Sequence, residues 1–232
     1  MNLSESDRVK KVYDERRNRG WNSRYSLYQK GTLHEMQWRQ RVMLSMLENS
    51  LGDMRDKRVL DIGCGVGNTL LPFLLCGMKI ENCFGIDILK DKIELAQRRL
   101  PGMNFACCSA ENIPFEKASF DLVTTFTCLS SILDKAVRRK VCEEAFSMLC
   151  PGGWVMIYDF FVNNPYNSDV KAVKLNELKT YFPGCICRSK KLTLLPPLSR
   201  RIAKYSMALC SILGVLPFLR THRLTMFQKP IN

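Results

Sequence analysis

The 232-residue chain has only two histidines, His34 and His222, and none of its 11 cysteines forms a Cys-x-x-Cys pair. Those gaps exclude the usual spacing of a zinc or thiol-redox centre. The cysteine count is odd, and the chain is long enough to bury a core without staples, so a disulfide scaffold is excluded as well. Cys64, Cys83, Cys128 and Cys150 stand in apolar runs, where the thiol behaves as a small hydrophobe. A reducing cytoplasm suits that usage. The stretch Met1–Lys11 is polar and reads as no signal peptide. The longest uncharged apolar stretch near the end, Tyr205–Leu219, contains Pro217 and is shorter than the roughly 20 residues a spanning helix needs.

Acidic residues are scarce at one end. Of the net +13, residues 160–232 carry 12 basic and 2 acidic side chains, residues 1–58 carry 13 and 8, and residues 59–159 carry 10 and 12. The positive field therefore belongs to the two ends, where it attracts phosphate, an anionic lipid surface or another anionic partner. With 46% hydrophobic and 25% charged residues, a disordered or fibrous chain is excluded.

Periodicity divides the chain. Residues 1–31 are polar and rich in Arg, Asn and Tyr. Thr32 and Glu35 form a capping box ahead of a helical stripe, Leu33, Met36, Gln40, Met43, Leu44, Leu47 and Leu51, which Gly52 closes. From Arg58, short apolar strands alternate with helices: strands at 58–62, 82–86, 104–107, 120–125 and 154–159, and helices at 69–75, 91–100 (capped by Asp91 with Glu94) and from Asp134 to Leu149. Two further strands, 185–195 and 223–229, flank an apolar helix over 202–219. Strand–helix alternation predicts a doubly wound parallel sheet, with ligands beyond the carboxyl ends of the strands.

The loop after the first strand, Asp61-Ile62-Gly63-Cys64-Gly65-Val66-Gly67-Asn68, puts three alternate glycines where a ligand can approach bare backbone. The dinucleotide pattern Gly-x-Gly-x-x-Gly requires a glycine where Asn68 stands. Asp61 would repel a pyrophosphate and attract an ammonium group, so nicotinamide cofactors are disfavoured.

At these residues the sequence resembles the class I S-adenosylmethionine-dependent methyltransferases (type 11-like), and later motifs follow in order. Phe84-Gly85-Ile86-Asp87-Ile88 ends the second strand on an acid suited to a ribose diol. Ser109-Ala110-Glu111-Asn112-Ile113-Pro114-Phe115, Phe120-Asp121-Leu122-Val123 and Leu149-Cys150-Pro151-Gly152-Gly153 match the third, fourth and fifth motifs. Ser109 departs from the family's usual aspartate beside the adenine amino group. The resemblance implies a Rossmann-like, seven-stranded, mostly parallel sheet with the last strand antiparallel, plus N-terminal helices. It also implies S-adenosyl-L-methionine as cofactor, with contacts from Asp61, Gly63, Cys64, Gly65, Asp87, Ile88, Ser109, Ala110, Glu111 and Thr127, and from Tyr25 and Arg39 of an N-terminal lid that also holds Tyr13. Three parts follow: a helical lid (1–54), the cofactor-binding core (55–160) and a C-terminal part of the same domain carrying acceptor-side segments (161–232).

Methyl transfer is an in-line displacement on an activated donor, so the acceptor chiefly needs holding, and a base helps when it is a hydroxyl. Asp159, at the end of the fifth strand, and His34 are the candidate catalytic bases; His222 reads as structural. Asn163-Asn164-Pro165-Tyr166 is similar to the box of base-modifying methyltransferases. It follows the fifth strand rather than the fourth, so we read the likeness as accidental. Tyr158-Asp159-Phe160 with Asn163-Asn164-Pro165, Thr193-Leu194-Leu195-Pro196-Pro197-Leu198-Ser199-Arg200-Arg201 and Leu219-Arg220-Thr221-His222 together resemble a bacterial branch associated with polysaccharide or specialised-metabolite biosynthesis. That resemblance implies O-methylation of a sugar, glycan or small metabolite, phosphate-bearing or lipid-linked. Nucleic acid is disfavoured, because few aromatics interleave the basic residues. The alternatives are an RNA or protein methyltransferase using the basic termini and a non-catalytic cofactor-binding module. The 202–219 segment is read as an internal or dimer-forming helix, or as a peripheral contact at the inner membrane face.

Overall fold

The computed structural model describes residues 4–20 and 26–231. Seven strands form one sheet: β1 (Val59–Ile62), β2 (Cys83–Asp87), β3 (Asn104–Cys107), β4 (Phe120–Phe126), β5 (Leu149–Phe160), β6 (Ile186–Leu194) and β7 (Arg220–Gln228). Their order is β3-β2-β1-β4-β5-β7-β6. The first five pair in parallel, and β7 runs antiparallel between β5 and β6. The expected architecture, with the last strand antiparallel, is the one found.

Side-chain alternation along the strands builds two cores. Leu60, Ile62, Val123, Val155, Ile157 and Phe227 face one side, against helices α5 (Lys135–Met148) and α6 (Leu175–Tyr181). Val59, Leu122, Trp154, Met156, Leu224 and Met226 face the other, where Met43, Met46 and Leu47 of α2 (Lys30–Leu51) join them. Each such fully buried apolar side chain contributes roughly 1.5–3 kcal/mol. The second half of α2, within the 1–54 segment expected as a lid, is thus core, whereas α1 (Glu5–Asn18) has no buried residue.

Helix starts mix local and distant control. Asp134 caps α5 as expected, accepting the N–H groups of Ala136 and Val137 at 2.7 and 3.3 Å. Thr32 is not the start of the helix. Here α2 begins earlier, at Lys30, and Glu35 instead accepts the Ser199 hydroxyl of α7 (Pro196–Ile202). Nor does Asp91 cap α4 (Lys90–Arg99); it lies in the first turn and pairs with Arg17 at 2.8 Å. The helix expected at 69–75 shortens to α3 (Leu71–Leu75). The single helix expected over 202–219 is instead α7, then α8 (Met207–Val215), then a 3-10 turn at Pro217–Leu219. Ser206 makes the break, turning extended and accepting the Leu209 N–H at 3.1 Å as a new N-cap. Among the described residues no helix is long and apolar enough to cross a membrane.

Candidate functional site

A cleft enclosing about 920 Å³, including its open mouth, lies at the carboxyl ends of β1, β2 and β4. Its floor begins with the glycine turn. Gly63 and Cys64 donate their N–H groups to the Ile86 carbonyl at 2.8 and 2.9 Å, tying the turn to β2. Gly63 has φ +73°, and a Cβ there would sit 2.8 Å from the Cys128 sulfur. Gly65, at φ +54°, has no atom within 4 Å of the place a Cβ would take, so bare backbone faces open space.

Asp87 closes the floor. Its Oδ2 accepts the Gly65 N–H and its Oδ1 the Leu89 N–H, both at 2.9 Å. One carboxylate therefore fixes the glycine turn and the start of α4 while keeping further lone pairs for a ligand. Burial raises its pKa, and the Leu89 and Gly65 N–H groups oppose that rise. Ile88, Ser109, Ala110, Glu111 and Thr127 line the same cleft. The Ser109 hydroxyl accepts the Glu111 N–H at 3.3 Å, which shapes the turn after β3. Thr127 is held at φ +54°, a left-handed conformation unusual for a branched residue. Its N–H donates to the Tyr158 carbonyl at 2.7 Å.

The other expected contacts fall outside the lining. Asp61 is 1% exposed and accepts the Thr124 hydroxyl at 2.7 Å. Burial pushes its carboxyl up to about 7, partly offset by the Thr124 hydroxyl; Asp87 adds to the rise and Arg39 opposes it. Cys64 is buried, with its thiol toward its own turn. Arg39 of α2 stacks over Phe126 and Tyr158, 5.5 and 5.1 Å from the ring centres. Tyr25 lies outside the described residues.

Both candidate bases are displaced. Asp159 is 3% exposed and spends its two oxygens on the Ser130 and Phe160 N–H groups, each at 2.9 Å. Burial holds its pKa up to about 6. Its position on the α5/α6 face of β5 makes it a fastener of the 129–131 turn behind the cleft wall. His34 points elsewhere, its Nε2 lying 3.0 Å from the Ser211 hydroxyl of α8, in a small separate pocket with Glu35 and Trp38. His222 is structural as read: it stacks on Tyr158 at 4.9 Å, and burial drives its pKa down to about 3.

Sequence reasoning missed most of the roof. Glu5, Ser6, Val9 and Tyr13 of α1 line the cleft at i, i+1, i+4 and i+8, a stripe too polar to stand out as a pattern. Polar bonds hold α1 in place. Arg8 donates to the Ser131 carbonyl, Glu5 accepts the Leu133 N–H at 2.5 Å, and the Tyr13 and Ser131 hydroxyls lie 3.2 Å apart. Tyr13 is partly exposed as a residue, but its phenol is enclosed against the cleft, which raises its pKa and keeps it neutral. The wall beneath is braced by Arg138, wholly buried, which donates to the Ile132 carbonyl at 2.6 Å and pairs with Glu177 at 2.7 Å.

The donor set fits an adenosyl ligand. A carboxylate with spare lone pairs suits a diol, apolar Ile88 and Ala110 suit a flat base, and the open ground above Gly65 admits backbone contact. Residues 59–153 match a family described as a methyltransferase domain. A demethylmenaquinone methyltransferase of Paenarthrobacter aurescens (strain TC1) is 30% identical over 124 residues, which cover 53% of this chain and 44% of that protein. The chain thus spans less than half the length of that curated relative. The crystal structure of magnesium protoporphyrin IX methyltransferase from Synechocystis PCC 6803, with S-adenosylmethionine bound, matches with a TM-score of 0.67 at 14% identity, over 98% of this chain and 99% of that one. A Burkholderia thailandensis 1,6-didemethyltoxoflavin-N1-methyltransferase, bound to 1,6-didemethyltoxoflavin and S-adenosylhomocysteine, gives 0.67 at 15% identity, over 99% and 92%. At such identities the likeness establishes the fold. Residues 59–153 are therefore similar to a methyltransferase domain, and the chain has the Rossmann-like fold of these two methyltransferase structures.

Proposed function

We propose that the protein transfers a methyl group from S-adenosylmethionine to a small acceptor, and that this acceptor is a hydroxyl of a sugar, glycan or small metabolite. The observation that carries the reading is Asp87, gripping the Gly65 and Leu89 N–H groups on the floor of a cleft of ligand size. When bound, the cofactor supplies a methyl group already activated on a sulfonium. The chain's own residues bind and orient. Asp87 takes the ribose hydroxyls, Ile88 and Ala110 flank the base, and Ser109 offers a hydroxyl at its edge. Asp61, anchored by Thr124, places negative field below the glycine turn, where an ammonium group gains from it. Helix α1 roofs the cleft and excludes water. Holding two reactants in line is itself worth roughly 7–11 kcal/mol of barrier.

The roof supports a small acceptor over a folded RNA or protein, since α1 crosses the cleft that a polymer would have to enter. The tail segments that resemble the polysaccharide-associated branch support a sugar. One observation favours a second reading, a nitrogen acceptor. Asp159 and His34 face away, and the lining acids are engaged, Glu5 by Arg8 and the Leu133 N–H and Glu111 by Lys140 at 3.4 Å. An amine needs less help from a base than a hydroxyl does.

Calorimetric titration with S-adenosylmethionine, S-adenosylhomocysteine and NAD tests the cofactor. Both adenosyl ligands should bind, NAD should not, and Asp87→Ala should abolish binding while the protein stays folded. A folded wild type that binds neither adenosyl ligand would refute the reading. A screen of sugar alcohols against amines with labelled cofactor then decides the acceptor atom.

A further inference from the structure

The outward face of α8 plays no part in the cleft. Leu209, Ile212 and Val215 are 44, 65 and 59% exposed, and Phe218 of the following turn is 78% exposed. At a spacing of three residues, Leu209, Ile212 and Val215 share one side of the helix. The opposite side is anchored: Cys210 and Gly214 are buried, and Ser211 meets His34 of α2. Soluble proteins seldom leave such a cluster uncovered without a use for it.

The charge around this face has one sign. From Leu178 to Asn232 the sequence has ten Lys and Arg residues and no Asp or Glu. Arg201, in the last turn of α7, and Lys204, between α7 and α8, are exposed. Lys190 is exposed on β6, on the face that carries Leu192, and Arg220 ties that strand to the helix end, donating to the Lys191, Gly214 and Val215 carbonyls at 3.0, 2.7 and 2.9 Å. We propose that this face docks on an anionic lipid surface, with Leu209, Ile212, Val215 and Phe218 entering the interfacial layer and Arg201, Lys204 and Lys190 meeting the headgroups. The combination of an apolar face and a basic rim suits a helix lying in the plane of a bilayer. Spanning is excluded by length, since nine residues rise only about 14 Å. A second copy of the chain is the poorer occupant. Pairing the patch with itself would set two cationic rims together with no acidic residue of that segment to relieve them. The inference does not depend on the acceptor, nor on the cofactor reading.

Co-sedimentation of the full chain with phosphatidylcholine vesicles, with and without phosphatidylglycerol, tests the proposal. Binding should require the anionic lipid and weaken as salt is raised. It should fall at least about tenfold for the double variant Ile212→Glu, Phe218→Glu. A thermal melt and the calorimetric titration, both matching wild type, would show that the variant is folded. If that variant fails to fold, Lys190→Gln, Arg201→Gln and Lys204→Gln together should cause the same loss with the apolar face intact. Three results would overturn the proposal: no binding of the folded wild type to anionic vesicles, equal binding to neutral ones, or a dimer in sedimentation velocity that the apolar double variant dissolves.

Discussion

Replacing Asp61 by asparagine should make the protein more stable at pH 8 while weakening its hold on the cofactor. The carboxyl is 1% exposed, and burial pushes its pKa from 3.8 to about 7. A folded-state pKa above the unfolded one favours the protonated form in the native state. The stability this lends is complete below pH 3.8 and is lost as pH rises through about 7. At about 1.4 kcal/mol per unit, the accumulated penalty at pH 8 is on the order of 4 kcal/mol, and at pH 4 it is below about 1 kcal/mol. Asparagine keeps an oxygen for the Thr124 hydroxyl 2.7 Å away and carries no charge to desolvate. Urea unfolding of wild type and Asp61→Asn, each at pH 4 and pH 8, should show a stability advantage for the variant that grows by a few kcal/mol between the two. Calorimetry at pH 8 should show weaker binding of S-adenosylmethionine, because the ammonium group loses its negative neighbour. A variant that is less stable at pH 8, or an advantage that does not change with pH, would refute the reasoning. Acid retained at such a cost is the usual mark of stability yielded to function.

The two floor glycines should respond differently to alanine. Gly63→Ala drives a Cβ to within 2.8 Å of Cys128 and should lower both thermal stability and cofactor affinity. Gly65→Ala should cost only the left-handed strain, about 1–2 kcal/mol, while still blocking the ligand's approach; melts and titrations run side by side would separate them. His222, held neutral with its pKa lowered to about 3, destabilises the fold as pH falls below its ordinary 6.5. His222→Phe should therefore flatten the stability profile between pH 6 and 4, and an unchanged acid limb in pH-dependent melts would contradict this. With no buried residue, α1 should exchange its amide hydrogens faster than α5 and become protected when S-adenosylhomocysteine is added.

The fold was legible because a doubly wound sheet writes itself as alternation, and the glycine turn and Asp87 are each local in sequence. What was not legible depended on contacts between distant segments. Glu35 looked like half of a capping box until Ser199, 164 residues later, claimed its oxygen. Asp159 sits at the ligand end of β5, but the strand's period of two turns it to the face opposite Tyr158. Its neighbours there are N–H groups of a turn after β4 that no pattern announces. That parity was present in the sequence and is the signal for the face on which the carboxylate lies. The roof was least legible. The α1 stripe is polar, and its partners, Ser131 and Leu133, lie more than a hundred residues away.

The insertion of β7 between β5 and β6 has a bearing on how the chain is made. Synthesis runs from the N-terminus, so β6 leaves the ribosome before the strand that connects it to the rest of the sheet exists. The 34 residues separating Leu194 from the end of β7 take about 2–7 seconds to add. During that interval β5 offers Val155, Met156 and Ile157 along an unpaired edge, and such edges recruit other strands. The nascent protein is thus most exposed to mispairing just before its sheet is complete. A ribosome stalled while β7 is still inside its exit tunnel should hold a chain with β1 to β5 assembled and β6 still unpaired.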